Sequence, residues 1–348
     1  MKKYDLIVVG AGPAGLLAAK AAGLAGLDVA LLDRKLDLTR LDRLCGQTLV
    51  SMNDYYFDDL VFYNPRGKRM GFSKSGFSFA YDGPVKNSYA WHLDSPNGTL
   101  LPFCLPEEGR KKGDAGRVGL AFDKEILFKC LLEEVEEAGV EIITGVDVRN
   151  VSTSPDGVKV SSSDKTFEGS YLIAADGANS RIARILGFNK DRTFYTYLLV
   201  KGGYLRNVKA PSFDTTYSSF TYKPVAPGYM FMLPRVYEND FTVAFITLDP
   251  RVHLDEVVNY FMSENPFFSK WFKDAEWVKQ LAFSQYIFTP VNEPYKDRVL
   301  LAGDSGSCQE LENSGAMISG WKAGNAIATA VNEDKVGIAS QGISHYLN

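Results

Sequence analysis

The start of the chain alternates between apolar blocks and turns in the order of a strand, a helix and a second strand. Tyr4–Val9 is almost wholly apolar, which is typical of a strand buried on both faces. Pro13–Gly26 is rich in Ala and Leu and predicts a buried helix, and Asp28–Leu32 predicts the next strand. This order predicts a βαβ unit in a parallel sheet.

Later segments repeat this mixture of helices and strands. Apolar residues at helical spacing and short apolar runs predict four further elements of the same region. They are a helix over 122–138, a strand over 140–144, short strands over 147–169 and a helix over 321–331.

Between residues 188 and 295 the pattern changes to short alternating segments that are rich in aromatic residues. Alternation with a period of two predicts strands, and we expect a twisted antiparallel sheet with two helices beside it. The predicted strands span 195–200, 218–223, 229–233, 241–248 and 280–290, and the predicted helices span 254–263 and 267–272.

A chain of 348 residues is long for one hydrophobic core, so we expect two domains. The predicted fold class is α/β, with a Rossmann-type dinucleotide-binding domain and a discontinuous second domain built on an antiparallel β-sheet. The first domain is assigned residues 1–67, 117–189 and 296–348, and the second residues 68–116 and 190–295. The charged stretch Glu107–Asp114 is predicted to be a surface loop.

The composition of the chain indicates which partners are excluded and in which compartment the protein is expected. The 38 basic and 42 acidic residues give a net charge of −4 without a basic stripe, so we expect no nucleic-acid partner. No apolar leader precedes the first strand and no apolar run is long enough to cross a bilayer, which predicts a cytoplasmic protein. We expect neither a metal site nor a disulfide framework, because the cysteines and histidines are scattered: Cys45, Cys104, Cys130, Cys308, His92, His253 and His345.

The first turn has the glycine spacing of a dinucleotide-binding fingerprint. Gly10 allows the sharp turn, Gly12 allows close approach of a pyrophosphate, and Gly15 allows the helix to pack closely on the sheet. The helix N-terminus offers free N–H groups to the phosphates. An acid at the end of the second strand can accept a ribose hydroxyl and disfavours a 2′-phosphate. The expected binding residues are Gly10, Gly12, Pro13, Ala14, Gly15, Asp33 and Arg34.

Two later strands end in Asp176-Gly177 and Gly303-Asp304, and together with the fingerprint they resemble the FAD-dependent oxidoreductases of the aromatic-hydroxylase superfamily. The resemblance implies that the fingerprint binds the ADP half of FAD. It also implies that Asp176 and Gly177 lie behind the pyrophosphate and that Asp304 meets the ribityl chain, with the backbone of Val148 near the adenine. We therefore expect FAD as cofactor, and NAD(P)H or another electron donor only transiently.

Within that superfamily the chain is most similar to the geranylgeranyl reductase branch. Arg43-Leu44-Cys45-Gly46-Gln47 resembles the Cys-Gly motif of that branch, in which the cysteine lies over the flavin. The segment Ala226–Pro234 resembles the strand that lines the substrate cavity, with Ala226, Phe231 and Leu233 in place of a proline, a tryptophan and a phenylalanine. A third segment resembles a loop whose backbone faces the flavin pyrimidine ring, and it includes Gly315, Ala316 and Met317.

These resemblances imply transfer of a hydride from reduced flavin to a carbon–carbon double bond of a small isoprenoid or related apolar substrate. Cys45 and Tyr229 are then the candidate catalytic residues, and Arg43, Cys45 and Gly46 contact the cofactor. Tyr229, Phe231 and Leu233 line the substrate cavity. The implied partners are the substrate and an electron donor, and contact with a membrane surface is left open.

Other interpretations of the same residues stay open at this point. Cys45 could be a small buried apolar side chain, and the strand around Tyr229 could belong to the core. The chain could also be a monooxygenase or halogenase that forms a flavin hydroperoxide, although no Trp-x-Trp-x-Ile-Pro segment of halogenases is present. A flavin-binding regulator without catalysis is the alternative from a different class.

Overall fold

The computed structural model describes residues 2–50, 59–222, 227–306, 312–336 and 342–347. Eight α-helices occur in these ranges, joined by short 3₁₀ and π turns. They are α1 (Pro13–Leu24), α2 (Pro106–Lys112), α3 (Lys124–Glu137), α4 (Arg181–Ile185), α5 (Leu254–Asn259), α6 (Ser269–Phe272), α7 (Glu312–Val336) and α8 (Gly342–Leu347).

The strands of the described ranges form four sheets. They are β1 (Lys3–Val9), β2 (Val29–Leu32), β3 (Thr48–Val50), β4 (Val61–Asn64), β5 (Arg69–Phe72), β6 (Phe77–Ala80), β7 (Val85–Ser88), β8 (Ala90–Asp94), β9 (Leu100–Pro102), β10 (Gly119–Phe122), β11 (Glu141–Ile143), β12 (Asn150–Ser154), β13 (Gly157–Ser161), β14 (Thr166–Ala174), β15 (Phe194–Arg206), β16 (Thr215–Thr221), β17 (Gly228–Pro234), β18 (Phe241–Thr247), β19 (Glu276–Phe288), β20 (Tyr295–Lys296) and β21 (Val299–Leu301).

The largest sheet has eight strands and is built on the predicted βαβ unit. Its main order is β11-β2-β1-β14-β13-β12; β21 pairs with the end of β14, and β20 pairs with β21. β1 runs parallel to β2 and β14, β11 runs parallel to β2, and β21 runs parallel to β14. Because parallel strands end at the same edge, the turns after β1, β14 and β21 lie side by side there. The helices α1, α3 and α7 cover one face of this sheet.

A seven-stranded sheet forms the second layer, in the order β19-β15-β18-β17-β16-β8-β9. It is antiparallel apart from the pairing of β8 with β16, and this confirms the predicted antiparallel sheet. The α5 and α6 helices pack on one face through an aromatic core that includes Phe245, Phe261 and Trp271. The opposite face of the seven-stranded sheet packs against the core of the first sheet.

Two small sheets, β3-β10-β7 and β4-β5-β6, complete the fold. Phe77 of β6 stacks on Trp321 of α7 with ring centroids 5.1 Å apart, so β4-β5-β6 packs on the helices of the first sheet. The exact division of the chain into two domains stays a prediction.

Three local predictions need correction. Residues 107–112 belong to α2 and are not a loop: Pro106 is in its first turn, acids follow, and basic residues end it, which is favourable for the helix dipole. Phe122 belongs to β10, because α3 begins only after Asp123, whose side chain accepts hydrogen bonds from the N–H groups of Glu125 and Ile126. The segment around residues 315–317 is helical rather than a loop, since α7 already begins at residue 312.

Candidate functional site

Each glycine in the turn between β1 and α1 is required for a different steric reason. Gly10 has a φ of +103°, and a Cβ there would lie 2.3 Å from the carbonyl oxygen of Ala175. A Cβ on Gly15 would lie 1.7 Å from the carbonyl oxygen of Gly10. A Cβ on Gly12 meets no chain atom within 4 Å, so this space is open to a ligand.

The N-terminus of α1 fits a phosphate group. Gly12 is the N-cap, and no side chain of the described residues caps the first turn. The free N–H groups and the positive end of the helix dipole face a cavity that Gly12, Pro13 and Ala14 line. This cradle is suited to the pyrophosphate of a dinucleotide.

Asp33 holds the same turn from the side. One carboxylate oxygen accepts a hydrogen bond from the N–H of Ala11 at 2.7 Å, and the other accepts from the N–H of Lys35 at 2.8 Å. Asp33 therefore orients the glycine turn besides lining the cavity wall where a ribose would lie.

The elongated outer cavity at this edge has a volume of about 560 Å³. It runs from the end of β2, past the glycine turn, to the turn after β14. Eight of the predicted cofactor-binding residues line it: Gly10, Gly12, Asp33, Arg34, Arg43, Val148, Asp176 and Gly177.

Asp176 orders the turn after β14. Its carboxylate accepts hydrogen bonds from the Ser180 hydroxyl at 2.6 Å and from the N–H groups of Arg181 and Ile182 at 2.9 and 3.2 Å. The Arg181 guanidinium in turn donates to the carbonyl of Val148 at 2.7 Å. Asp176 thus holds the start of α4, and Gly177, with a φ of +85°, carries the chain past the cavity.

A middle cavity of about 190 Å³ continues from the outer one and shares Gly12, Arg43 and Gly177 with it. Arg43 crosses to the second sheet, where it donates to the Gln285 side chain at 2.7 Å and lies 4.2 Å from the ring centroid of Phe283. Of the other predicted residues, Pro13, Ala14, Cys45, Asp304 and Ala316 line this cavity.

An inner cavity of about 220 Å³ follows, between the Cys-Gly loop and the second sheet. Phe231 and Leu233 of β17 line it, as expected, together with Trp91 of β8. A Cβ on Gly46 would lie 3.2 Å from the Leu233 side chain, so a larger residue at position 46 would press on this wall. The inner cavity has a mainly apolar lining.

The middle and inner cavities meet at one place, which we call the junction. It is formed by the residues that line both cavities: Leu44, Cys45, Glu312 and Asn313. Glu312 has a φ of +57°, an uncommon value for a residue with a side chain. Groups bound in the two cavities would come closest to each other here.

Cys45 is buried at the junction and accepts hydrogen bonds from three directions. The Lys124 ammonium lies 3.3 Å from its sulfur, and the Gln47 N–H and the Asn313 side-chain amide each lie 3.5 Å away. Gln47, with a φ of +52°, also accepts a hydrogen bond from the Lys124 N–H through its side chain. The loop is thereby fixed to the start of α3.

Sequence patterns did not identify Lys124, Asn313 or Glu312. Lys124 follows an ordinary helix cap, and the other two lie in the first turn of α7. Their only signal was position beside recognisable motifs, which does not identify a binding residue.

Other predicted residues lie away from these cavities. Tyr229 shares the strand face of Phe231 but does not line the inner cavity; burial and the neighbouring Tyr222 hydroxyl raise the pKa of its phenol. Met317 is fully buried in the core under α7. Gly303, with a φ of +65°, packs against α1, where a Cβ would lie 2.8 Å from that of Ala14.

The described ranges contain no group of three or more His, Cys, Asp or Glu side chains that could hold a metal ion. Among the helices of the described part of the chain, none has both the length and the apolar composition needed to cross a bilayer.

Comparison with known proteins agrees with this geometry. Residues 3–308 match the family described as FAD binding domain. Digeranylgeranylglycerophospholipid reductase 2 of Methanococcoides burtonii is 24% identical over 334 residues, which cover 92% of this chain and 73% of the relative. A solved geranylgeranyl bacteriochlorophyll reductase-like protein of Thermoplasma acidophilum has a TM-score of 0.72 at 16% identity, covering 99% of this chain and 82% of that one. A flavin-dependent brominase has a TM-score of 0.70 at 15% identity, with 99% and 83% covered.

The two solved structures show likeness of fold, and the family match spans most of the chain. The cradle at α1 and the three strand-end turns fit FAD, which is the cofactor. The chain belongs to the FAD binding domain family and is an FAD-dependent oxidoreductase.

Proposed function

We propose that this protein reduces carbon–carbon double bonds of an isoprenoid or related apolar substrate. The names of its relatives, digeranylgeranylglycerophospholipid reductases among them, support this class of substrate. The mainly apolar lining of the inner cavity supports it as well.

The observation that carries the proposal is the junction. The cavity that begins at the phosphate cradle and the apolar cavity under β17 share a wall of four residues, Leu44, Cys45, Glu312 and Asn313. An alkene carbon in the inner cavity would therefore lie next to the reactive end of a cofactor held along the outer and middle cavities.

Bound FAD, once reduced, supplies a hydride. With FAD bound, the N–H groups at the α1 N-terminus would hold its pyrophosphate, and Arg43 and Asp304 would orient its middle. The side chains of Trp91, Phe231 and Leu233 exclude water from the place where the alkene lies.

An isolated alkene is a poor hydride acceptor, so a proton has to reach the second carbon as the hydride reaches the first. Cys45 and Glu312 are the junction side chains that can hold such a proton. Lys124, Gln47 and Asn313 hold the Cys45 sulfur in place. Tyr229 does not line the inner cavity, so the proposal rests on Cys45 rather than on Tyr229.

The electron donor that reduces the flavin is proposed to be NAD(P)H or another reductant that binds transiently. The outer cavity is assigned to FAD, and no second glycine fingerprint follows a strand in the sequence.

The test is anaerobic oxidation of reduced flavin by a prenyl substrate. Purified protein is reduced with dithionite, a geranylgeranyl lipid is added, and recovery of oxidised-flavin absorbance is followed together with the gain of two hydrogens per double bond by mass spectrometry. Cys45→Ser should slow this recovery while FAD stays bound. Cys130→Ser is the matched control, because this buried cysteine lies on α3 and contacts Asp82 rather than the junction.

Two results would contradict the proposal. If the flavin stayed reduced with every prenyl substrate tested, the proposed reductase activity would be wrong. Product that forms only with oxygen present and carries a new hydroxyl or halogen would favour the monooxygenase or halogenase chemistry.

A further inference from the structure

An apolar patch is exposed at the edge of the seven-stranded sheet. It consists of Leu100, Leu101, Phe103 and Leu105, whose exposed fractions are 46, 57, 61 and 61%. They belong to β9 and the segment that leads into α2, and no described strand pairs with the outer side of β9. Four such residues within six positions are more than the scattered apolar residues of an ordinary surface.

We propose that this β9 patch docks the protein on the surface of a lipid bilayer. The inference rests on the proposed function, because a reductase of long prenyl chains has to reach substrates that lie in lipid. Two observations favour a bilayer as the occupant: continuity with the inner cavity and the size of that cavity.

Leu101 connects the patch with the inner cavity along one face of the sheet, while Leu100 next to it faces the other side. Leu101 of β9 lies directly opposite Leu93 of β8, and directly opposed residues of antiparallel strands project from the same face. Trp91, two residues before Leu93, shares that face and lines the inner cavity. The Trp91 ring contacts that of Phe231, with centroids 5.8 Å apart. An apolar chain leaving the cavity over Trp91 meets the patch next.

The inner cavity is too small for a long prenyl chain. Its volume is about 220 Å³. A cavity of about 150 Å³ holds one benzene molecule, so this one has room for about one or two five-carbon units. The remainder of a longer chain has to stay in an apolar environment outside, which a bilayer at the patch provides.

The segment that follows the patch has balanced charge, because residues 107–114 contain three acidic and three basic side chains. Arg110, Lys111 and Lys112 end α2 and are exposed. Arg110 also pairs with Asp214 at 2.6 Å, which anchors α2 to the segment before β16. Lys111 pairs with Glu108 at 2.6 Å, so the charge beside the patch does not favour anionic over neutral headgroups.

The test is co-sedimentation of the FAD-loaded protein with vesicles of phosphatidylcholine alone and of phosphatidylcholine with phosphatidylglycerol. We expect comparable binding to both, because the apolar side chains and not the charges of the adjoining segment carry the interaction. Phe103→Glu and Leu101→Glu should each lower the partition constant about tenfold or more, because a charge replaces an apolar group that enters the lipid. Leu24→Glu, at an equally exposed leucine (62%) at the end of α1, should change it less than about twofold.

The outcomes separate this inference from the proposed function. The docking proposal would be wrong if the wild-type protein did not co-sediment with vesicles. It would also be wrong if the patch variants bound vesicles as tightly as the wild type. A wild-type dimer that Phe103→Glu converts to a monomer would instead assign the patch to a second copy of the chain. Turnover of a short prenyl alcohol without vesicles should be equal in wild type and patch variants; its absence in all of them would count against the reductase and leave the vesicle result standing.

Discussion

Replacement of Glu134 by Gln should destabilise the protein strongly. Glu134 of α3 accepts a hydrogen bond from the ammonium of Lys20 of α1 at 2.7 Å, and the two side chains are only 12 and 6% exposed. At this distance and an effective dielectric constant of about 20, the attraction is roughly 6 kcal/mol before the cost of desolvation. The variant keeps the shape of the site and removes the charge that compensates Lys20.

The expected loss is about 3 kcal/mol of unfolding free energy. Removal of one partner of a buried pair typically costs about 3–5 kcal/mol, because the other charge stays buried. The lower end applies because the Lys20 ammonium keeps its hydrogen bond to the carbonyl of Ser78 at 2.9 Å. Lys20→Met combined with Glu134→Leu should recover most of the loss, since Arg69, the other partner of Glu134 at 3.1 Å, is 40% exposed and stays solvated.

Urea unfolding followed by tryptophan fluorescence measures the effect as a lower midpoint with an unchanged slope. Glu108→Gln is the control, because its pair with Lys111 is exposed on both sides and should contribute less than about 1 kcal/mol. A loss below about 1 kcal/mol in Glu134→Gln would show that Lys20 is solvated or re-paired, and the reasoning would be wrong.

Two further predictions follow from single sites. Gly12→Ala should leave the unfolding midpoint nearly unchanged, because its Cβ meets no chain atom within 4 Å, but it should weaken FAD binding about tenfold or more, measured by fluorescence titration of the apoprotein; equal affinity would show that the pyrophosphate does not approach Gly12. Burial raises the pKa of Asp94 from 3.8 to about 6, and its Oδ2 atom has no hydrogen-bond partner among the described residues. The folded state therefore holds this proton more tightly than the unfolded state, so the wild type should lose stability relative to Asp94→Asn as the pH rises from about 4 through 6; parallel pH profiles of the two proteins in thermal unfolding would contradict this.

The first βαβ unit and the cofactor could be predicted from the sequence. The predicted β1, α1 and β2 each match the structure to within two residues at either end. A side chain at Gly10 would collide with Ala175 in the turn after β14, and one at Gly15 would collide with Gly10 in the same turn. The glycine fingerprint is known to require both close contacts, so the sequence was sufficient to predict them.

Helices α2 and α7 show where local patterns were insufficient. The capping signals of α2 were present, but its polar composition resembled a loop. In α7, Gly320 and Gly324 weaken helix propensity, yet they let the helix lie directly on α1, where a Cβ would come within 2.0 and 2.3 Å of the carbonyl oxygens of Ala14 and Ala18. Packing between the two helices compensates for the poor propensity.

The sequence by itself determined the parts whose physics is local: the glycine turn, the buried parallel strands and the Cys-Gly loop that resembles a known family. The tertiary structure alone decided which side chains surround Cys45 and where the apolar cavity opens. Lys124 and Asn313 reach its sulfur from positions 79 and 268 residues away. Such distances along the chain carry no local pattern, because the contacts exist only after both sheets and α7 have packed together.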